Sequence, residues 1–420
     1  MDWSFLTRNK TAITVSTDTR NLPAGCVFFA LKGARFNGNL FAVQALETGA
    51  DYAVVDEDIA LTCSMSASYK GRLIRVDNTL LALQELAREW RRQWAAMPPS
   101  DGSLKRKTVV AITGTNGKTT TKELTAAVLS TRYHVHFTQG NLNNQVGVPL
   151  TLLQLRQEHD IAIVEMGASH PGDIRELVDI AEPDCGLITN VGRAHLEGFG
   201  SFEGVQRTKG ELYDYLRQHE GFCFRNFDNP YLEVMAAGLQ TIGYHSGTMP
   251  EGTHLIGSYN SENIQAALTI GSYFGIDHDT ALQAVRDYIP KNNRSQLVRT
   301  GSNTLIVDAY NANPTSMRAA ITSALSQYDA AKLMFILGDM LELGSYSHLE
   351  HQNIVNLLLE QKAENVLLVG KEFAATSAPY PVFADTEQLS GYLTTHSPKG
   401  ATILIKGSRG MQLEKIIPLL

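Results

Sequence analysis

The sequence predicts an α/β fold in three domains: a central domain with a mostly parallel sheet, flanked by a small N-terminal α/β domain and a C-terminal Rossmann-like α/β domain. Three observations carry this reading. Short apolar runs alternate with stretches of helical spacing along the whole chain. Two breaks interrupt the alternation, at 97–103 and 290–293. The 420 residues leave room for two or three domains at roughly 150 residues each.

In the first unit the apolar runs are 12–15, 26–31, 52–55 and 73–76, with helical spacing over 40–48 and 79–94. Met97-Pro98-Pro99-Ser100-Asp101-Gly102-Ser103, followed by Lys105-Arg106-Lys107, is the clearest linker. Strands are then expected at 108–113, 134–138, 161–166, 185–190 and 221–225. Their continuous apolar character suits a parallel sheet covered on both faces. Helices at 260–274 and 280–288 precede Pro290-Lys291-Asn292-Asn293. The last unit alternates strands at 304–307, 333–337, 365–369 and 402–405 with helices at 316–328, 348–361 and 386–394. The domains therefore fall at 1–106, 107–291 and 292–420.

Composition narrows the function. A 43% hydrophobic share excludes a wholly disordered chain. Lys plus Arg number 36 against 43 Asp plus Glu, a net charge of −7 without a basic block. That argues against nucleic acid as a partner. Cys26, Cys63, Cys185 and Cys223 form no CxxC pair and read as thiols of a reducing compartment. There is no signal-peptide pattern near Met1 and no apolar run of about 18 residues. The expectation is a cytoplasmic protein without membrane insertion.

The strongest motif is Thr113-Gly114-Thr115-Asn116-Gly117-Lys118-Thr119-Thr120, between an apolar strand and a helix. Glycines there let successive backbone N–H groups point at phosphate oxygens, and the helix start adds its positive end. Lys118 can bridge the β- and γ-phosphates and the Thr119 hydroxyl can ligate Mg²⁺. The general P-loop spacing would place glycine at Ile112, so this is a shorter form, and it predicts ATP binding.

Other candidates sit at strand ends. Glu165 reads either as a Mg²⁺ ligand or as a solvent-facing acid. His195 reads equally as a ligand or as an ordinary loop histidine. The loop bearing Asn141, Asn143 and Asn144 suits a polar ligand or a turn. Asn313 before Pro314 is an ordinary helix start. His134 and His136 resemble a metal pair, but strand alternation explains them better.

Taken together, these strings resemble the Mur ligase family. The shortened P-loop, Gly140-Asn141-Leu142-Asn143-Asn144, Asp308-Ala309-Tyr310-Asn311-Ala312-Asn313-Pro314 and Leu337-Gly338-Asp339-Met340-Leu341-Glu342-Leu343-Gly344 carry the likeness. It runs from Asp18-Thr19-Arg20 to Lys406-Gly407-Ser408-Arg409-Gly410. The resemblance implies an ATP-dependent, amide-bond-forming ligase. Its substrates would be a UDP-N-acetylmuramoyl-tripeptide and D-alanyl-D-alanine, joined through an acyl phosphate by a monomer. The neighbouring alternatives add a single amino acid, either to the muramoyl dipeptide or in the manner of folylpolyglutamate synthases. A P-loop switch protein is the alternative from another class.

Residue by residue, the resemblance implies Mg²⁺ held by Thr119 and Glu165, with Glu165 and His195 near a second ion. Lys209 would be a carbamylated lysine; read alone, it is a solvated helix residue. Asn263, Arg294 and Asp308 would reach the nucleotide, Asn260 being equally a helix cap. Arg20 and Lys32 would serve the UDP end, where Phe36-Asn37-Gly38-Asn39 departs from the family's usual Asp-Gly-His string. Asn311, Asn313, Asp339, Lys406 and Ser408 are the third domain's candidates for the dipeptide.

Overall fold

The computed structural model describes residues 2–8, 10–59, 68–69, 71–100, 102–290 and 294–420. Met1, Cys63, Asp101 of the first break and residues 291–293 of the second lie outside them. Among the described residues three larger sheets are present, one in each third of the chain, with a two-stranded sheet in the first. None of the described helices is long and apolar enough to cross a membrane.

The first sheet contains β1 (Val15–Ser16), β2 (Val27–Phe29), β5 (Tyr52–Val55) and β6 (Leu73–Arg75), parallel and in the order β1-β2-β5-β6. A short antiparallel hairpin, β3 (Lys32–Gly33) and β4 (Phe36–Asn37), follows β2. It was not expected, because two-residue strands leave too little pattern to read. The helix Thr79–Ala96 then begins where Asn78 Oδ1 accepts hydrogen bonds from the Leu80 and Leu81 amides, at 2.9 and 3.0 Å.

That helix joins two domains. Its buried Trp90 and Trp94 donate indole hydrogen bonds to Leu155 O (3.0 Å) and His159 O (3.2 Å). They lie in one apolar core with Val27 and Phe29 of the first sheet and Val109, Val164 and Leu212 of the second domain. The 97–103 linker therefore does not separate two independently moving bodies.

The central sheet is wholly parallel. Its strands are β7 (Thr108–Thr113), β8 (Val135–Phe137), β9 (Ile161–Glu165), β10 (Cys185–Ile188), β11 (Phe222–Asn226) and β12 (Gln240–Tyr244). The order is β12-β11-β10-β7-β9-β8. Connections pass to one side of β7 and then to the other, so a crevice opens at the carboxyl ends of β9, β7 and β10. Strand β12 was missed: it is an edge strand, largely half-buried and interrupted by Gly243.

The third sheet has the order β13-β14-β18-β15-β16-β17. Its strands are β13 (Gln296–Arg299), β14 (Thr304–Asp308), β15 (Leu333–Gly338), β16 (Val366–Val369), β17 (Val382–Phe383) and β18 (Thr402–Lys406). Only β13 is antiparallel. The edge strands β13 and β17 were also missed, one exposed at alternate residues and the other two residues long. The core on one face of this sheet takes in Leu196, Phe199 and Val205 of the preceding domain beside Met340 and Leu343. Cys26, Cys185 and Cys223 are buried free thiols.

Candidate functional site

The carboxyl end of the central sheet and the facing end of the third sheet enclose a cleft of 940 Å³. From β7 the chain turns through Gly114 and Gly117, both with left-handed backbone (φ 137° and 80°). A Cβ at Gly114 would lie 2.0 Å from Thr189 Oγ1, and one at Gly117 2.4 Å from Asn263 Oδ1. Both positions thus require glycine. The helix Lys118–Leu129 starts there, its first amides facing the cleft mouth. Thr115, Asn116, Gly117, Lys118, Thr119 and Thr120 line the cleft.

Lys118 Nζ folds back onto Gly114 O (2.8 Å) and Thr115 O (3.1 Å). Burial pushes its ammonium below the usual lysine range; Glu165 opposes that shift and Arg294 adds to it. An anion in the cleft would restore the charge. The loop is braced by Asn190, whose Oδ1 accepts from the Asn116 amide (3.0 Å), and by Thr189 Oγ1, which donates to Asn116 O (2.6 Å).

Glu165, at the end of β9, is 1% exposed, which overturns its solvent-facing alternative. Its carboxylate accepts from Thr119 Oγ1 (2.9 and 3.1 Å) and Asn143 Nδ2 (2.9 Å), and lies 3.7 Å from Lys122 Nζ. Sequence reasoning overlooked Lys122. Its signal is the spacing of four from Lys118, which puts both lysines on one side of the helix. Among the described residues no group of three or more His, Cys, Asp or Glu could cage a metal alone. One carboxylate and one hydroxyl beside a phosphate-sized cleft nevertheless fit Mg²⁺, which commonly completes its shell with water and phosphate oxygens.

The asparagine-rich loop divides its work. Asn143 reaches Glu165, whereas Asn144 Oδ1 accepts from the Gly147 amide (2.9 Å) and shapes the turn. Asn141, Asn143 and Asn144 all line the cleft. Asn263 Oδ1 accepts from Thr121 Oγ1 (3.0 Å), and its Nδ2 donates to Asn260 Oδ1 (2.8 Å). Asn260 therefore orients Asn263 and does not cap the helix Asn260–Tyr273, in which it is the first residue.

The third domain supplies the opposite wall. The Arg294 guanidinium stacks over Tyr310 at 3.7 Å. Lys406 Nζ donates to Asp308 Oδ2 (2.5 Å) and Asn311 O (3.1 Å). Asp308 and Lys406 are paired across β14 and β18, so sheet register alone brings them together. Asn313 caps the helix Pro314–Gln327 through the Ser316 amide (2.9 Å), while its Nδ2 donates to Asn116 Oδ1 (2.8 Å). The helix-start reading thus describes half of that side chain.

His195 lines the cleft with Nδ1 2.6 Å from Glu342 Oε2, a contact whose angle falls short of a linear hydrogen bond. His195 in turn holds the Glu342 carboxyl below its ordinary value. Glu342 stands within a quoted motif without an assigned part, whereas Lys122 lies just beyond the quoted loop. Lys209 is not a solvated residue: it is 2% exposed, with its ammonium 5.5 Å from the Phe199 ring. No hydrogen bond or ion pair holds it among the described residues. Burial, reinforced by Lys118, drives its pKa well below the lysine range.

The remaining candidates are not brought into the cleft. Asp339 accepts from the Glu372 and Phe373 amides (both 3.0 Å), and Ser408 Oγ accepts from the Leu341 amide (2.9 Å). Both brace loops behind the wall. Arg20 is exposed and bidentate to Asp18, whereas Lys32 pairs with Asp56 and Glu57 (both 2.9 Å). Asn39, buried at the departing string, donates to Asp56 (2.8 Å) and to Asn37 (2.9 Å). His136 is held as a strand residue: its Nε2 donates to Thr151 O (2.9 Å), and burial lowers its pKa to about 4.

A glycine-rich loop at the switch point of a parallel sheet, with a buried acid beside its Thr and a second sheet closing over it, defines a nucleotide-binding α/β enzyme built from three domains. Comparison with known proteins specifies the class. The model of the Mur ligase middle domain matches residues 112–249, that of the Mur ligase glutamate ligase domain 293–409, and that of the Mur ligase family catalytic domain 13–91. The chain belongs to the Mur ligase family.

Among its relatives is a UDP-N-acetylmuramoyl-tripeptide–D-alanyl-D-alanine ligase of Bacillus subtilis, 35% identical over 96% of this chain and 92% of the relative. Its Escherichia coli counterpart is 33% identical over the same shares. The MurF ligase of Thermotoga maritima in complex with ADP superposes with a TM-score of 0.84 at 26% identity, covering 97% of each chain.

Proposed function

We infer that the protein is an ATP-dependent ligase that joins D-alanyl-D-alanine to UDP-N-acetylmuramoyl-tripeptide, giving the pentapeptide precursor of peptidoglycan, ADP and phosphate. The observation that carries this is the relatives' shared name over nearly the whole chain, together with a complete nucleotide cleft. The stem carboxylate oxygen attacks the γ-phosphorus and ADP leaves. The amine nitrogen of the dipeptide then attacks the acyl carbon, phosphate leaves and a proton is lost.

The first step brings two anions together, and the residues of the cleft answer that problem. Lys118, released from the Gly114 and Thr115 carbonyls, and the amides of 115–119 neutralise the transferring phosphoryl group. Thr119 and Glu165 would hold Mg²⁺, which would supply further positive charge at the phosphates, and His195 would serve a second ion. Arg294 on Tyr310, Asn263 and Asp308 bracket the nucleoside. Lys209, buried, without a hydrogen-bond or ion-pair partner among the described residues and with its pKa lowered by burial, has the properties of an amine that adds CO₂ to form a carbamate, releasing a proton. Arg20 and Lys32 face the UDP end. Asn311, Asn313, Lys406, Asp339 and Ser408 form or support the dipeptide side.

The domains divide at 1–106, 107–291 and 292–420, and the enzyme works as a cytoplasmic monomer. The acyl phosphate gives a direct test. With ATP and tripeptide substrate but no dipeptide, label from ADP should pass into ATP; absence of such exchange would remove the intermediate.

A further inference from the structure

We propose that Glu342, on the third domain, is a positioning residue that fixes the tautomer of His195 on the central domain, so that the imidazole is set for its ligand only while the two domains are docked. The proposal rests on the ligase reading for the part His195 plays. Its own support is geometric.

At 2.6 Å, Nδ1 of His195 and Oε2 of Glu342 cannot both present lone pairs, so the proton lies on Nδ1. The buried Nδ1 has no well-formed hydrogen bond, and Oε2 of Glu342 is the acceptor within its reach. In the neutral imidazole, Nε2 then keeps the lone pair that a metal ion requires, the carboxylate–histidine arrangement that orients metal-binding imidazoles.

Both residues have left-handed backbones, φ 49° at His195 and 64° at Glu342, although neither is glycine. Such conformations persist where the surroundings hold them. Here the two face one another from opposite domains. The Glu197 amide donates to Glu342 O (3.4 Å), and a Cβ at Gly344 would lie 3.1 Å from that of Glu197.

The loop behind Glu342 is fixed on its own domain. The Met340 amide donates to Nε2 of the fully buried His351 (3.0 Å), and the Leu341 amide to Ser408 Oγ (2.9 Å). Met340 and Leu343 share a core with Leu196 and Phe199 from the other side. Asp339 and Ser408 thereby acquire a task without touching substrate: they hold the loop that presents Glu342. The side chain of Glu342 is 62% exposed and lines the cleft, so its hold on His195 depends on docking and not on burial.

The test uses the full chain with ¹⁵N-labelled histidine. In the metal-free wild type the His195 nitrogens should report Nδ1–H; an Nε2–H tautomer would overturn the proposal. Glu342→Ala should lose that preference and raise the Mg²⁺ concentration for half-maximal turnover about 10- to 100-fold, with thermal stability unchanged. Glu342→Gln, which keeps an acceptor, should restore most of both. Unchanged nitrogen signals and an unchanged Mg²⁺ requirement in Glu342→Ala would also overturn it, as would loss of turnover at every Mg²⁺ concentration without a tautomer change. Failure of the ligase reading looks different: the wild type would make no pentapeptide, whatever the state of His195.

Discussion

At the scale of single residues, the chain holds several side chains where isolated chemistry would not put them. Lys209 is the clearest. It occupies the apolar stripe Val205, Lys209, Leu212, Leu216 on the helix Phe202–Gln218, at the spacing of a core-facing residue. That stripe was legible in the sequence; the lysine's charge argued against it. The structure resolves the conflict with burial that pushes its pKa well below the lysine range. Replacing Lys209 by Ala should lower turnover about 100-fold or more, with partial recovery on adding short-chain carboxylic acids; undiminished turnover would remove the carbamate. The P-loop was legible because Gly114 and Gly117 are demanded by backbone geometry. Glu342 was not, because its partner His195 lies on another domain, and no local pattern encodes a contact across 147 positions.

At the scale of elements, buried strands were read closely and edge strands poorly. Strands β5 and β7 have the expected limits, since each is an unbroken, largely buried run bounded by charged residues or by the turn glycine Gly114. Edge strands such as β12 and β13 bury one side or neither, and their pattern fades. The helix Thr79–Ala96 was foreseen as part of the first domain, but its indoles complete the core of the second. Trp90→Ala leaves a large cavity and an unpaired Leu155 carbonyl, and should cost about 3–5 kcal/mol. Urea unfolding should show one transition for the first two domains in the wild type and two in the variant. A single unshifted transition would contradict the shared core.

For the whole molecule, the two breaks in the sequence are not equivalent. The first joins domains bound by a common core; across the second, a smaller apolar contact through Leu196, Phe199 and Val205 leaves the cleft itself bridged by polar contacts, Asn116 to Asn313, His195 to Glu342 and Arg193 to Glu350 (3.1 Å). Polar contacts beside an open cleft are the ones a domain motion can break and remake. The third domain should therefore move on the other two: adding nucleotide and tripeptide substrate should make the protein more compact in small-angle scattering, and superimposable profiles would contradict this. The net charge of −7 is no obstacle to binding polyphosphates, because Lys118, Lys122, Arg294 and the loop amides concentrate positive potential in the cleft. The most direct measurement is ADP release by the purified protein with each substrate omitted in turn. Turnover is expected only when ATP, UDP-N-acetylmuramoyl-tripeptide and D-alanyl-D-alanine are all present. Equal turnover with a single amino acid in place of the dipeptide, or with no acceptor at all, would contradict the account.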